Sequence, residues 1–529
     1  MQLNKDSSGG YSLAAVFLLS LFSQLVVAGQ PLRLRPLSVF RHGEIVDGGG
    51  AEIVKFSAET KCLYVVNREH NSIDILAIEN PVEPKLKLRI DLGPFGESAT
   101  HVAVHGQLIA VSLPGIPTTA SGGVAFFNQN GKSLGRVSTG PLPDMISFTP
   151  DGRFIVTADE GEPSPDYSID PEGSVTIIQL PADAYTNDQV TISDATCKIR
   201  MADFKGFDTS QIPAGVRIGK PNATVAEDLE PEYLTISPDG KTAWVVLQEN
   251  NALAVVDLEA AKVTRLLPLG EKSFQPSGDS SGIDVSDIDQ TISLVNWPLF
   301  AFYQPDGIAS FTTGGETYLV TANEGDHRSY GTFRDVARVS ELLLDPNVFP
   351  NANELKRPEN MGRLLVSSVD GDIDNDGLHE SLYTFGARSF SIWNTQGKLV
   401  YDSGSQLELL IAEQYPDQFN SNSSDASFDD RSDDKGPEPE GVAIGQVADR
   451  TLAFIGIERF SGILVVDVTN PSEPVVIELY RQRVADAEIM DHAPEGLAFI
   501  AADDSPNGKP LLAVAYEVSG TTRIYQVGE

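Results

Sequence analysis

A short pattern recurs along this 529-residue chain: an acidic residue, an apolar run, a tight turn, a second apolar run, a polar loop and a third run. It reads Glu52-Ile-Val, Cys62-Leu-Tyr-Val-Val-Asn67 and Ser72-Ile-Asp-Ile-Leu76. It returns as Asp144-Met-Ile-Ser-Phe-Thr-Pro-Asp-Gly152, Phe154-Ile-Val-Thr-Ala158 and Ser174-Val-Thr-Ile-Ile178. Another copy is Glu232-Tyr-Leu-Thr-Ile-Ser-Pro-Asp-Gly240, Ala243-Trp-Val-Val-Leu247 and Leu253-Ala-Val-Val-Asp257. Further copies start near Asp306, Glu440 and Glu495, with less regular ones near His101 and Leu382. The runs are short and rich in Val, Ile, Phe and Tyr, which reads as strands. In the Pro-Asp-Gly steps Pro sets φ and Gly is free to take positive φ, the chemistry of a tight turn. Only Val336 to Leu344 and Gln406 to Gln414 read as amphipathic helix.

Repetition at this period, lengthened by inserted loops, predicts an all-β fold. The expected form is a single β-propeller of seven or eight mostly four-stranded blades, which removes open sheet edges by closing a ring. The copy around Leu382 has no clear first strand, which leaves the blade count open. Leu37-Ser-Val-Phe40 is expected to complete the last blade, Leu511 to Val527, and so close the ring. Two separate β-domains are the alternative architecture.

The formal net charge of −37 argues against nucleic-acid partners, because basic surface supplies most of that affinity. It fits divalent cations or a basic partner, and equally plain solubility in a salty medium. Lys5 followed by the apolar stretch Leu13 to Phe22 and by Val26-Val-Ala28 reads as a secretory signal, residues 1–28. That leaves 29–529 as one propeller domain without a transmembrane helix, expected to be exported, extracellular or periplasmic, soluble and monomeric. Cys62 and Cys197 are the only thiols, and both a disulfide and two free thiols fit the sequence.

Placed on the repeat, the acidic residues gather at one end. In a propeller blade the loop entering the innermost strand and the loop joining the second and third strands share a face. The entering loops carry Glu52, Asp144, Glu230, Glu232, Asp306, Glu438, Glu440 and Glu495. The second-to-third loops carry Glu69, Asp159, Glu160, Glu162, Glu249, Glu324, Asp326, Glu458 and Glu517. Crowded carboxylates raise one another's pKa unless cations neutralise them, and oxygen-ligated divalent cations would do so. The competing reading is structural, with carboxylates bonding backbone amides and Arg68, Arg328, Arg388 and Arg459 as charge partners. A sharper cation signal is Asp370-Gly-Asp-Ile-Asp-Asn-Asp-Gly-Leu-His-Glu380. Asp372, Asp374 and Asp376 alternate as oxygen ligands, Gly377 permits the turn, and the Leu378 carbonyl and Glu380 complete a Ca²⁺ loop. The twelfth position is Tyr383, so this is not an EF-hand and is more similar to the short calcium loops between propeller strands in integrin-type repeats. The run Asp425 to Asp434 reads as a solvated loop near the mouth.

Several stretches carry a family resemblance: Pro143 to Gly152, Asp228-Leu-Glu-Pro-Glu-Tyr233, Leu247 to Ala252, Thr321-Ala-Asn-Glu-Gly-Asp326, Phe385 to Trp393, Arg431 to Gly441 and Asp504 to Pro510. These resemble the choice-of-anchor I family over nearly the whole chain after the signal. The family includes bacterial secreted or surface proteins and mesenchyme-specific cell-surface glycoproteins of biomineralising animals. The resemblance implies an extracellular propeller, with calcium or mineral association in some members and an alkaline-phosphatase label on others.

Two functions follow as expectations. The first is a calcium-binding extracellular or surface module that holds a surface polymer, mineral or protein. The alternative is a calcium-dependent phosphoesterase, phytase-like or alkaline phosphatase-like, with Ca²⁺ or another divalent cation clustered at the channel mouth on Glu160, Glu232, Glu324, Glu440 and Glu495. In that case Arg328, Arg388 or His327 would hold the phosphate ester, and the metals would activate a water.

Overall fold

The computed structural model of the protein describes residues 32–43, 49–185, 190–276, 282–482 and 489–528. The signal-peptide reading of residues 1–28 lies outside the described residues. Each repeat folds as an antiparallel meander. The first blade runs Val54–Ser57, Cys62–Asn67, Ser72–Ala77 and Lys85–Asp91 from the inside outward. Among the described residues seven sheets have this plan, and the second of them adds the short parallel strand Ile192–Ser193 at its outer edge. Their inner strands are Val54–Ser57, His101–His105, Pro143–Phe148, Pro231–Ile236, Ile308–Thr313, Pro439–Val447 and Pro494–Ile500. Each packs on the next and the last packs on the first, so the ring is closed.

The core explains why the second strand of most repeats reads as an unbroken apolar run. Side chains alternate across a strand, and here both faces are covered by neighbouring blades. Tyr64 and Val66 pack with Val102 and Ile109 of the second blade. Leu63 and Val65 pack with Ala513 and Ile524 of the seventh. The same division repeats round the ring, giving one apolar cluster for every blade-to-blade interface.

The structure thus decides the blade count at seven. Leu382 belongs to an additional core with Phe274, Leu299, Val339 and Leu364, built from two insertions. One precedes the fifth blade. The other, 324–388, separates that blade's second strand, Glu316–Asn323, from its third, Ser389–Asn394. The strand after Leu382 is only Tyr383–Thr384 and pairs in parallel with Phe300–Phe302, so it has no propeller neighbours. The helix Gln406–Gln414 forms and buries Leu407 and Ile411 between the fifth and sixth blades. Val336 to Leu344 is not a helix: Val336–Arg338 pairs with Leu365–Ser367, and a single 3₁₀ turn follows.

Closure uses the N-terminal strand, as expected from Leu37 to Phe40, but over the longer span Arg33–Arg41. It forms the outermost strand of the seventh blade, paired from Arg33 opposite Gly528 to Arg41 opposite Thr521 with one register shift between Pro36 and Ser38. Directly after it, His42 ties the two end blades together. Its Nδ1 lies 2.8 Å from Asp74 Oδ2 in the first blade, and its Nε2 lies 2.8 Å from Thr522 Oγ1 in the seventh. Burial pushes the His42 pKa down against the pull of Asp74. Asp74, against the upward push of its own burial, is held below the ordinary carboxylate range by hydrogen bonds from His42 and Arg89. His42→Ala strands the buried Thr522 hydroxyl and removes one bond from Asp74, which keeps Arg89 and Asn67, so a loss of about 1–3 kcal/mol in urea unfolding is expected. An unchanged midpoint would show that the tie contributes nothing. Cys62 and Cys197 are both free thiols.

Candidate functional site

The acidic position of the repeat stands one or two residues before the apolar stretch of the inner strand in six of the seven blades. Glu52, Asp144, Asp306, Glu440 and Glu495 line a cavity of about 90 Å³, together with Arg68, Thr100, His101 and Tyr233. That volume would hold about three waters. The second blade carries Thr100 where the others carry a carboxylate, and its hydroxyl donates to the Pro143 carbonyl at 2.6 Å. The glycines after these carboxylates let adjacent backbones meet. A Cβ on Gly307 would collide with the Glu440 carbonyl, one on Gly441 with that of Glu495, and one on Gly496 with that of Glu52. The Glu-Gly pairs of the sequence are therefore ring-closing contacts as well as carriers of charge.

Burial dominates the electrostatics. It pushes Glu52 up to about 8, against Arg68, and Asp144 up to about 6. Burial, then the charges of neighbouring carboxylates, pushes Asp306, Glu440 and Glu495 well above the ordinary range. Buried carboxylate oxygens lacking any hydrogen-bond partner include Glu52 Oε2, Glu232 Oε2, Glu249 Oε2 and Glu440 Oε2.

The residues predicted for one metal cluster at the mouth separate into different surroundings. Glu440 and Glu495 share the central cavity. Glu160 is raised by burial and then by the charges of Glu162, Asp144 and Glu249, and Glu232 by burial and then by those of Glu249 and Glu160. Glu324 falls in a second group, where its oxygen and those of Glu438 and Glu458 lie within 4.8 Å of one another. That group is already neutralised. Lys435 Nζ lies 2.8 Å from Glu324 and 3.2 Å from Glu438. Arg459 lies 3.3 Å from Glu438 and 3.0 Å from Glu458, and Arg431 also pairs with Glu438. A third group, Glu52, Glu495 and Glu517, spans the first and seventh blades.

The arginines offered for a phosphate are engaged inside the protein. Arg328 is buried, with Nη2 at 2.7 Å from Glu230 and Nη1 at 3.4 Å from Asp228. Arg388, also buried, reaches Glu408 at 2.9 Å and donates to the carbonyls of Asp284, Ser432 and Asp434. His327 packs edge-on against Phe385 and has no partner at Nδ1. The acidic run 425–434 is not a solvated loop. Asp429 and Ser432 are buried, Asp433 pairs with Arg338 at 2.7 Å, and Asp425 with Arg481 at 2.7 Å.

The predicted calcium loop lies within the insertion of the fifth blade, between Leu365–Ser367 and Tyr383–Thr384. One oxygen from each of Asp372, Asp374, Asp376 and Glu380 lies within 4.8 Å of the others. Backbone amides hold the carboxylates inward: Asp376 N and Gly377 N donate to Asp372 at 3.1 and 3.0 Å, and Leu378 N donates to Asp376 at 2.8 Å. Leu378 is thus fixed in the loop through its amide. Ile373 N donates to Glu380 Oε2 at 2.7 Å, while Glu380 Oε1 is shielded and has no protein partner. Asn375 and Gly377 take φ of 61° and 90°, the left-handed turn that wraps the chain round the oxygens. Just before the loop, Asp370 is clamped by the buried Arg217 at 2.8 Å.

Residues 52–471 match the choice-of-anchor I domain. Gigasin-3a of Magallana gigas is 32% identical over 184 residues, which are 32% of this chain and 64% of that protein. The mesenchyme-specific cell surface glycoprotein of Strongylocentrotus purpuratus is 29% identical over 345 residues, 58% of this chain and 43% of that protein. The chain spans about half the length of these curated relatives. The β-propeller domain of Myceliophteria thermophila Cps50 (Swd1) aligns over 94% of this chain and 100% of that domain, with a TM-score of 0.44 and 8% identity. No helix among the described residues is long and apolar enough to cross a membrane.

Proposed function

The chain belongs to the choice-of-anchor I family, and on that premise we propose that it is an extracellular or surface-associated propeller that binds Ca²⁺ and uses it to engage an anionic surface polymer or mineral. Export would rest on the apolar segment at residues 1–28, and one matched relative is by name a cell surface glycoprotein. The observation that carries the reading is the loop at Asp372, Asp374, Asp376 and Glu380, whose four carboxylate oxygens converge to within 4.8 Å. Oxygens at that separation suit a hard cation with 2.3–2.6 Å bonds, where two ligands on opposite sides lie up to about 5 Å apart. The loop is half-exposed, so a bound ion retains free coordination positions for water or for oxygens of a partner. That is the arrangement a bridging cation requires.

The function is read as binding rather than hydrolysis because the arginines that could clamp a phosphate are engaged with buried carboxylates and carbonyls. The test is a calcium titration of the purified chain followed by thermal melting, with p-nitrophenyl phosphate turnover monitored in the same samples. The expected result is a calcium-dependent rise in melting temperature without phosphate release. Asp374→Asn with Asp376→Asn is expected to remove one equivalent of bound Ca²⁺. Turnover abolished by Glu232→Gln or Glu440→Gln would instead establish the phosphoesterase, and a melt indifferent to calcium would overturn both.

A further inference from the structure

We propose that Glu52, Glu495 and Glu517 form a second Ca²⁺ site, a clasp that joins the first blade to the seventh where the ring closes. The inference rests on the cation-binding reading above but on none of the loop residues. One oxygen from each of the three glutamates lies within 4.8 Å of the others. Glu52 enters the first blade, Glu495 begins the inner strand of the seventh, and Glu517 lies in that blade's second-to-third loop. Their backbones are already tied together, one bond crossing the seam and one lying within the seventh blade. Gly496 N donates to the Glu52 carbonyl at 3.0 Å, and Glu517 N to the Ala493 carbonyl at 2.8 Å.

Two further observations point to a ligand. Glu52 is 4% exposed, yet its Oε2 has no hydrogen-bond partner. His101, 1% exposed, lines the same cavity of about 90 Å³, and among the described residues neither of its ring nitrogens has a hydrogen-bond partner. Glu52 and Glu495 line that cavity, and a neutral imidazole nitrogen there would accept a hydrogen bond from a water on the cation.

The contrast with Glu324, Glu438 and Glu458 is the discriminating point. There the protein supplies its own cations, Arg431, Lys435 and Arg459. At the seam Arg68, 2.6 Å from Glu52 Oε1, is the one cation paired with these glutamates among the described residues. Among the described residues neither Glu495 nor Glu517 has an ion-pair partner. Charge that the sixth blade balances with side chains is left at the seam for a metal.

The experiment uses the full chain carrying Asp374→Asn and Asp376→Asn, with Ca²⁺ bound read by equilibrium dialysis and stability by melting in calcium and in chelator. This loop-silenced protein is expected to retain one equivalent of Ca²⁺ and to melt higher in calcium. Adding Glu495→Gln and Glu517→Gln is expected to remove that equivalent. In chelator the same protein is expected to melt above its parent, because two repelling carboxylates are gone. If the Glu495 change prevents folding, Glu517→Gln alone, on a half-buried loop residue, gives the same readout. Undiminished binding after the seam substitutions overturns the clasp, as does a loop-silenced protein that binds no Ca²⁺. Failure of the loop reading is separate: the loop-silenced protein would then bind as many equivalents as the unmodified chain.

Discussion

Arg328→Met is expected to lower the unfolding free energy by about 3–5 kcal/mol, the usual consequence of deleting one partner from a buried ionic group. Arg328 is 2% exposed and donates to Glu230 Oε2 at 2.7 Å and to the Asp228 carbonyl at 2.9 Å. Glu230 and Asp228 are themselves fully buried. With the guanidinium gone, Lys220, 2.9 Å from Glu230, is left to balance them. Urea denaturation measures the loss. Glu230→Gln combined with Arg328→Met should recover part of it, because the stranded charge is then also removed. Arg153→Ala is the control. Its partner Glu259 is exposed, so less than about 1 kcal/mol should change. A stable Arg328→Met protein would mean that this guanidinium is available for a ligand after all.

In chelator, the protein is expected to gain stability as the pH falls from about 8 toward 5, opposite to the acid response of a protein held by paired carboxylates. Burial pushes Glu52, Glu249 and Glu458 up to about 8 from 4.5. Within that window the folded chain binds protons that the unfolded chain has released. Each such group therefore adds up to about 1.4 kcal/mol of stability per pH unit lowered. Asp144 and Asp159, raised by burial to about 6, join at the lower end. Below about 4.5 the glutamates are protonated in both states, and below about 3.8 the aspartates are too, so the gain stops. Glu438 then acts in the other direction. Against its burial, Lys435, Arg431 and Arg459 pull it down to about 2, so its contribution is present above 4.5 and is lost as the pH falls through 2. The melting temperature in chelator should peak near the lower end of the 4.5–8 window. Calcium should flatten the rise by keeping the seam carboxylates ionised. A melting temperature in chelator that falls steadily from pH 8 downward would contradict the account.

Much of this was legible in the residues because strands and turns are local. Cys62 to Asn67 and Ala243 to Leu247 are strands by composition alone, and Pro-Asp-Gly at 150–152 and 238–240 sets turns wherever it occurs. The carboxylate of each copy was legible by position, and so was the loop at 372–380, since its ligands are neighbours in the chain. The blade count was not, because Leu382 carries an apolar signal that two insertions, rather than a blade, absorb. Nor could the sequence separate the three glutamate groups. Glu438 and Glu440 are two residues apart, yet one is held by three cations and the other faces the cavity with Oε2 unpaired. Glu517 carried a usable signal, its place in the second-to-third loop, but nothing in the sequence pairs it with Glu52.

By itself the sequence determined the repeat, the ring and the sign of the charge at its mouth, since alternation, turn residues and acidic positions are all read within a dozen residues. Only the tertiary structure decided which carboxylates meet and which already have a cation. Those pairings join residues such as Glu52 and Glu495, or Arg328 and Glu230, that lie on different blades or across an insertion. Coulomb and desolvation energies depend on distance and burial in space, and neither is written along the chain.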